Sequence, residues 1–114
     1  MALSTNLPIY KDTYDLTLLV KRLVSNFRRS FRSHGVKLDE ECLELALLIY
    51  RANVAHDKRP HLNQLLERLQ VVNILLRQSH DLQLISRAQY AQAIKLTGEI
   101  GKQATGWRNA SPAA

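Results

Sequence analysis

Two adjacent pairs, His56-Asp57 and His80-Asp81, come nearest to acid–base chemistry, because an imidazole beside a carboxylate can hold and move a proton near neutral pH. Adjacent residues do not face one another on a helix, and both pairs fall where the hydrophobic pattern places helix ends. Turn formation and capping account for them without catalysis. The four histidines lack the i, i+4 spacing of a helical metal site, and Cys42 falls on an apolar stripe, where it reads as a small buried hydrophobe. No glycine-rich phosphate loop, nucleophile elbow, kinase motif or zinc motif occurs. The polar residues that a helical core could hold are Asn53, Asn73, Arg77 and His80. Asn73 and His80 project onto the core side of their helix with Arg77 at its edge, which suits a satisfied polar cluster, a partner contact or the inner surface of an oligomer. The expectation is a protein that is not an enzyme and takes no metal and no cofactor.

Charge points instead to binding. Sixteen Lys and Arg against ten Asp and Glu give +6 and a pI near 9.8, a balance that favours polyanionic partners. From residue 21 to residue 37 there are six basic residues and no acid, namely Lys21, Arg22, Arg28, Arg29, Arg32 and Lys37. Asp39, Glu40, Glu41 and Glu44 follow at once, so two patches of opposite sign are expected at one end of the molecule. Lys and Arg that neutralise phosphates release counterions and supply sequence-independent affinity. A merely solvated face is the plainer reading, since the run carries no stacking aromatics and no base-reading motif.

The elements that must position these residues read as helices. Aromatics are 6% of the chain, and Gly and Pro are few at 4 and 3, a composition poor in strand and turn formers. A first helix over about 9–34 puts Leu16, Leu19, Val20, Leu23, Val24, Phe27 and Phe31 within an arc of about 140°, with Gly35 ending it in a left-handed conformation. Lys21, Ser25, Arg28, Arg29 and Arg32 then form the opposite, cationic face. A second helix over about 38–55 has Asp39, Glu40 and Glu41 in its first turns, where the helix N-terminus stabilises negative charge. It carries two apolar stripes, and the one through Leu43, Leu47, Tyr50 and Val54 needs a surface beyond a single bundle to cover it. A third helix over about 60–80 starts at Pro60 and is similarly over-provided, with Val71, Ile74 and Leu75 widening its apolar face. Ser86 and Gln89 form a capping box that opens a fourth helix, about 86–106, in which Gly98 and Gly101 suggest close approach of another backbone. Residues 108–114 read as a disordered tail, and residues 1–107 as one domain. Short connections make neighbours antiparallel, so the fold class is all-α, an up-and-down antiparallel four-helix bundle.

The N-terminal MALSTNLPIYKD has neither the early positive charge nor the apolar run of a signal peptide, and Cys42 has no second cysteine to pair with. Uncharged stretches such as Val71 to Leu76 are far short of the roughly 20 residues that cross a bilayer. The expectation is a cytoplasmic protein with no membrane partner.

Four segments carry a resemblance: LPIYKDTYDL (7–16), NFRRSFR (26–32), RQSHDLQLIS with QY (77–90), and GEIGK ending at GW (98–107). With these the chain resembles the accessory variability determinant (Avd) family, which accompanies the reverse transcriptase of diversity-generating retroelements. The broader group includes four-helix proteins encoded by intervening sequences in bacterial ribosomal RNA genes. The resemblance implies a homopentameric barrel of four-helix bundles, a reverse transcriptase partner, RNA or DNA held on basic surfaces, and no active site. It assigns a binding role to Arg28, Arg29, Arg32 and Lys37, with Lys21, Arg22, Arg68 and Arg77 behind them. The oligomer interface expected from the surplus apolar positions is Leu43, Leu47, Tyr50, Val54, Val71 and Leu75. A related bundle that binds structured RNA without a polymerase, and a purely protein-binding helical adaptor, are the alternatives.

Overall fold

The structure, a computed structural model, describes residues 7–112. It has four helices and no strand among them: α1 (Pro8–Val24), α2 (Arg32–Val54), α3 (Arg59–Asp81) and α4 (Arg87–Ala110), with a 3-10 turn at Arg29–Phe31 before α2. Each helix packs on the next and α1 closes onto α4, giving an antiparallel bundle of 46 × 22 × 20 Å. Leu16, Val20, Leu38, Leu45, Leu48, Ile49, Leu62, Leu65, Val72, Leu76 and Ile100 are fully buried along its axis. Their i, i+3/i+4 spacing within each helix is what makes one stripe per helix face inward.

The largest departure from the sequence expectation is at the first helix. It ends at Val24, ten residues short of the expected boundary at 34. Ser25 Oγ donates to Arg22 O at 2.7 Å and Asn26 Nδ2 to the same oxygen at 3.3 Å, so two short polar side chains compete for the last carbonyls of α1. Arg28 is then extended, with ψ 148°, and the chain turns into α2. Phe27 and Phe31 consequently leave the α1 stripe for this corner, where both are half-buried and Phe27 stacks on His34.

Gly35 does not cap α1 either. It is buried inside α2, and no described glycine has a positive φ. Its role is close approach: a Cβ there would lie 2.7 Å from Val24 Cγ1 and 3.2 Å from a Phe27 ring carbon. Gly101 behaves similarly against Leu69 Cδ2 at 3.2 Å, a side chain and not a backbone, whereas Gly98 faces open space. Because α2 begins at Arg32, Asp39, Glu40 and Glu41 lie about two turns inside it and its first turn holds no acid, contrary to expectation.

The other junctions follow sequence signals. Lys58 Nζ donates to Ala52 O, Asn53 O and Ala55 O at 3.0, 3.0 and 3.1 Å, so one ammonium satisfies the orphaned carbonyls at the end of α2. The Ser86 box is formed in both directions, Gln89 N–H to Ser86 Oγ at 3.1 Å and Ser86 N–H to Gln89 Oε1 at 2.8 Å. Helix α4 passes through Gly106 to Ala110, so the expected end at 106 and the disorder expected from 108 are both corrected. Arg108 Nη1 holds Asn63 Oδ1 at 3.2 Å and Ser111 Oγ donates to Trp107 O at 2.7 Å, which ties the last turn down. Ala113 and Ala114 lie outside the described residues.

Candidate nucleic-acid interface

The break after α1 changes what the basic run can be. A cationic face along one helix becomes a corner, with Lys21 and Arg22 in the last turn of α1, Arg28 in the connection, Arg29 in the 3-10 turn and Arg32 at the start of α2. Arg28 Nη2 donates to Leu82 O at 3.3 Å, which joins this corner to the α3–α4 connection. The same guanidinium lies over the Phe31 ring, 5.1 Å from its centroid. Arg87, the first residue of α4, sits at this end too and was not singled out from sequence, since only the capping serine before it gave a signal. Two open depressions border the corner, one floored by Val24 and Phe27 and both rimmed by Arg29, Arg32 and Val36. Ser30 and Ser33 add exposed hydroxyls.

Here the electrostatics run against the helix. Cations near a helix N-terminus are disfavoured by the partial positive charge of the unsatisfied N–H groups. No acid stands in the first turn of α2 and no side chain caps it. The corner thus combines free guanidinium groups, hydroxyls and the positive end of a 23-residue helix. Chemically, that arrangement accepts anionic oxygens.

Apart from Arg28, which is held by Leu82 O and the Phe31 ring, the structure divides the expected binding residues into two groups. Arg22, Arg29 and Arg32 are exposed and enter no ion pair among the described residues. Lys21 is held by Asp39 at 3.0 Å, Lys37 by Glu41 at 3.1 Å and Arg77 by Asp81 at 3.8 Å. Arg68 Nε lies 3.2 Å from Glu41 Oε2, an ion pair whose angle is not that of a hydrogen bond, so neither buried atom has a hydrogen-bond partner. Glu41 is thus a buried carboxylate between two cations, Lys37 on its own helix and Arg68, which ties α2 to α3. The acidic patch is likewise mostly taken up within the bundle, with Glu44 on Arg51 at 3.7 Å.

The candidate interface residues fall on two helices. Leu43, Leu47, Tyr50 and Val54 are exposed on α2, at 67, 39, 52 and 48%. Val71 and Leu75 on α3 are half-buried, and Ile74 beside them is exposed.

The four polar core candidates do not come together. Asn53 is buried at the C-terminal end of α2, while Arg77 and His80 lie at the opposite end of the bundle, near the close of α3. Asn73 Oδ1 is buried with no hydrogen-bond partner among the described residues. His80 stacks on Tyr90 with centroids 4.9 Å apart, and its Nδ1 is 3.6 Å from Asp81 Oδ1, beyond hydrogen-bond reach. One pair that the sequence did not suggest resembles a nucleophile and base: His34 Nε2 lies 2.9 Å from Ser79 Oγ. Ser79 is wholly buried and spends its proton on Leu75 O at 2.7 Å, so it has neither a free hydroxyl proton nor access to substrate. With that proton committed, His34 donates from Nε2, and the contact ties α2 to α3. Cys42 is also buried, and burial, helped by Asp39 and Glu41, pushes its thiol up to about 12, far from nucleophilic. No group of His, Cys, Asp and Glu among the described residues could hold a metal ion, and no helix is long and apolar enough to cross a membrane.

No curated protein and no solved structure matches the chain. A family model described as bAvd-like, for the bacterial accessory variability determinants, matches residues 8–111, from the first residue of α1 to just past the last of α4. The match spans all four helices and both sides of the basic corner, and the chain therefore belongs to the bAvd-like family of accessory, non-catalytic proteins.

Proposed function

We propose that this protein is a non-enzymatic scaffold that holds nucleic acid at its basic corner and brings it to a reverse transcriptase during mutagenic retrohoming. The observation that carries the reading is that Arg29 and Arg32 stand at the positive end of α2 with Arg22 and Arg87 at the same end of the bundle, none of the four in an ion pair among the described residues. Such a site reads phosphates, not bases, because guanidinium groups, hydroxyls and backbone N–H groups all suit anionic oxygens and no aromatic side chain stands free to stack. Its contribution is positioning and local concentration of a polyanion. Lys21, Lys37, Arg68 and Arg77 shape the corner through their ion pairs more than they touch phosphate. Family membership supports the polymerase partner, and the exposed α2 stripe supports self-assembly, for which a pentamer is the proposed state. The cytoplasm is the proposed compartment.

The test is binding of the purified protein to a structured RNA and to a duplex DNA across a salt series, after its mass in solution is fixed by light scattering. An oligomer whose affinity falls steeply with log salt, and which retains a co-expressed reverse transcriptase of the same retroelement on a column, supports the reading. A protein that binds neither nucleic acid at low salt leaves a protein-only adaptor. Salt-dependent RNA binding without capture of the polymerase leaves the ribosomal intervening-sequence type of function.

A further inference from the structure

The groove between α1 and α4 meets the basic corner at Arg22 and is otherwise not used by the nucleic-acid reading. Leu18, Leu19 and Leu96 line its middle, with Leu18 38% exposed. Toward the start of α1 its rim is acidic, with Asp12, Asp15 and Glu99, and toward the end of α1 it is basic, with Arg22 and Lys95. Asp12 accepts from Gln103 at 2.6 Å; Asp15, Glu99, Arg22 and Lys95 have no ion pair among the described residues. The α2 stripe of Leu43, Leu47, Tyr50 and Val54 is on another side of the bundle and is equally uncovered. It too has a charge order along its length, Glu40 toward the start of α2 and Arg51 toward its end; Glu40 has no ion pair among the described residues and Arg51 pairs with Glu44.

We infer that the α1–α4 groove receives the α2 stripe of a second copy of this chain, with the two bundles parallel. The inference rests on the proposal that the protein self-assembles, and specifies which surfaces meet. The levels along the bundle carry it. Lys21 bonds Asp39, and Asp12 bonds Gln103, so α1, α2 and α4 can be aligned residue by residue. Counting at about 1.5 Å per residue puts Lys95 and Arg22 level with Glu40, and Leu18 and Leu96 level with Leu43 to within about one turn. Arg51 reaches back to Glu44 at 3.7 Å, which carries its guanidinium toward the level of Asp15 and Glu99. In the parallel arrangement Glu40 therefore meets Lys95 and Arg22 across an apolar strip, and Arg51, still holding Glu44, turns toward Asp15 and Glu99. An antiparallel, two-fold arrangement sets Glu40 beside Asp12 and Asp15, and Arg51 beside Arg22 and Lys95, which like-charge repulsion opposes. Because the two surfaces differ, the contact is head-to-tail and propagates into a closed ring when the rotation between copies closes.

Cysteine cross-linking tests the pairing. Leu18→Cys in the groove and Leu43→Cys on the stripe are made separately, and Cys42 stays in place because its buried thiol, pushed up to about 12, remains protonated and unreactive. Oxidising the two variants together should give the mixed disulfide, and one chain carrying both should give a ladder ending in a covalent ring. Leu43→Cys cross-linking to itself as readily as to Leu18→Cys overturns the inference, as does an oligomer by light scattering with no cross-link at all. Charge exchange gives a second readout: Glu40→Lys and Lys95→Glu should each weaken association by about tenfold, and the chain carrying both should recover it. Failure of that recovery counts against the pairing alone. A protein that stays monomeric at every concentration overturns self-assembly itself and the pairing with it.

Discussion

Replacing Arg22, Arg29 and Arg32 together by alanine separates a localised phosphate site from a diffuse positive charge. These three are exposed and free of ion pairs among the described residues, so their loss costs the fold little. The matched control replaces Lys11, Arg59 and Lys102, which lie toward the other end of the bundle and are equally exposed. Each triple removes three positive charges and takes the formal net charge from +6 to +3. On duplex DNA each phosphate contact contributes about 0.9 to the slope of log affinity against log salt, so losing three contacts flattens the slope by about 2.7. Between about 50 and about 200 mM salt the wild-type protein then loses about 40-fold more affinity than the corner triple does. The control should keep nearly the full slope, because its charges act only through the long-range field, which salt screens within about 10 Å. Fluorescence anisotropy with a labelled duplex and a labelled structured RNA, at four salt concentrations, gives both slopes. Equal slopes for the two triples would refute the corner as the binding site and leave only net charge as the cause.

Other expectations follow from single contacts. Lys58→Met keeps the aliphatic stem but strands three carbonyls, and should destabilise the fold by about 2 kcal/mol, read as a fall in Tm of several degrees; an unchanged Tm would mean that water replaces the ammonium without cost. Gly35→Val sets atoms against Val24 and Phe27 where even a Cβ is too close, and should cost about 1 to 3 kcal/mol in urea melts while weakening nucleic-acid binding, since it pries the corner apart. Gly98→Val meets open space and serves as the comparison, with a cost below about 1 kcal/mol. For Cys42 the thiol of the unfolded chain ionises near 9.0 while the folded one resists to about 12. The unfolded state therefore binds fewer protons above about pH 9, and stability must fall as pH rises from there toward 12, a component that Cys42→Ala should remove from the pH dependence of chemical denaturation.

Helix existence, three of the four helix starts and the inward stripes were legible in the sequence because each rests on local physics. Pro8, Pro60 and the Ser86 box announce N-termini by their own chemistry. The corner was not legible, for an equally physical reason. Residues 25–34 keep a helical hydrophobic period through Phe27 and Phe31, and nothing local forbids a continuous helix. What breaks it is tertiary: the chain must reverse for α2 to pack back along α1, and Ser25 and Asn26 make the break cheap by taking the last carbonyls. Gly35 carried a real signal that admitted two meanings, since a left-handed cap and a close approach both ask for a missing Cβ. The pairing of Arg68 with Glu41 was hidden because it spans two helices whose relative register no local rule supplies, whereas Lys37 meets Glu41 at the ordinary i, i+4 spacing once α2 is known to begin at Arg32.

The break that spoiled the sequence reading is also what gives the basic residues a use. On a continuous helix through residue 34 they would line the flank of the bundle, spread over more than two turns and partly against Asp39 and Glu40. Ending α1 at Val24 instead folds Arg28, Arg29 and Arg32 over one end of the molecule, the end that also holds Arg87, and leaves Lys21 and Lys37 to the acids that α2 carries further down. An end has a consequence that a flank does not. In a parallel ring of the kind inferred here, every subunit presents the same end to the same side, so cyclic symmetry collects all the corners on one rim and leaves the other rim to the α2–α3 connection. A polyanion then meets a circle of sites with a common orientation, each too weak to hold it alone, and rebinding among them multiplies the residence time without any new contact. Breaking the ring with Glu40→Lys should therefore lower nucleic-acid affinity far more than the single charge explains, and in the wrong direction for simple electrostatics, because the substitution makes the protein more basic. An affinity that instead rises with the added charge would show that each corner works alone.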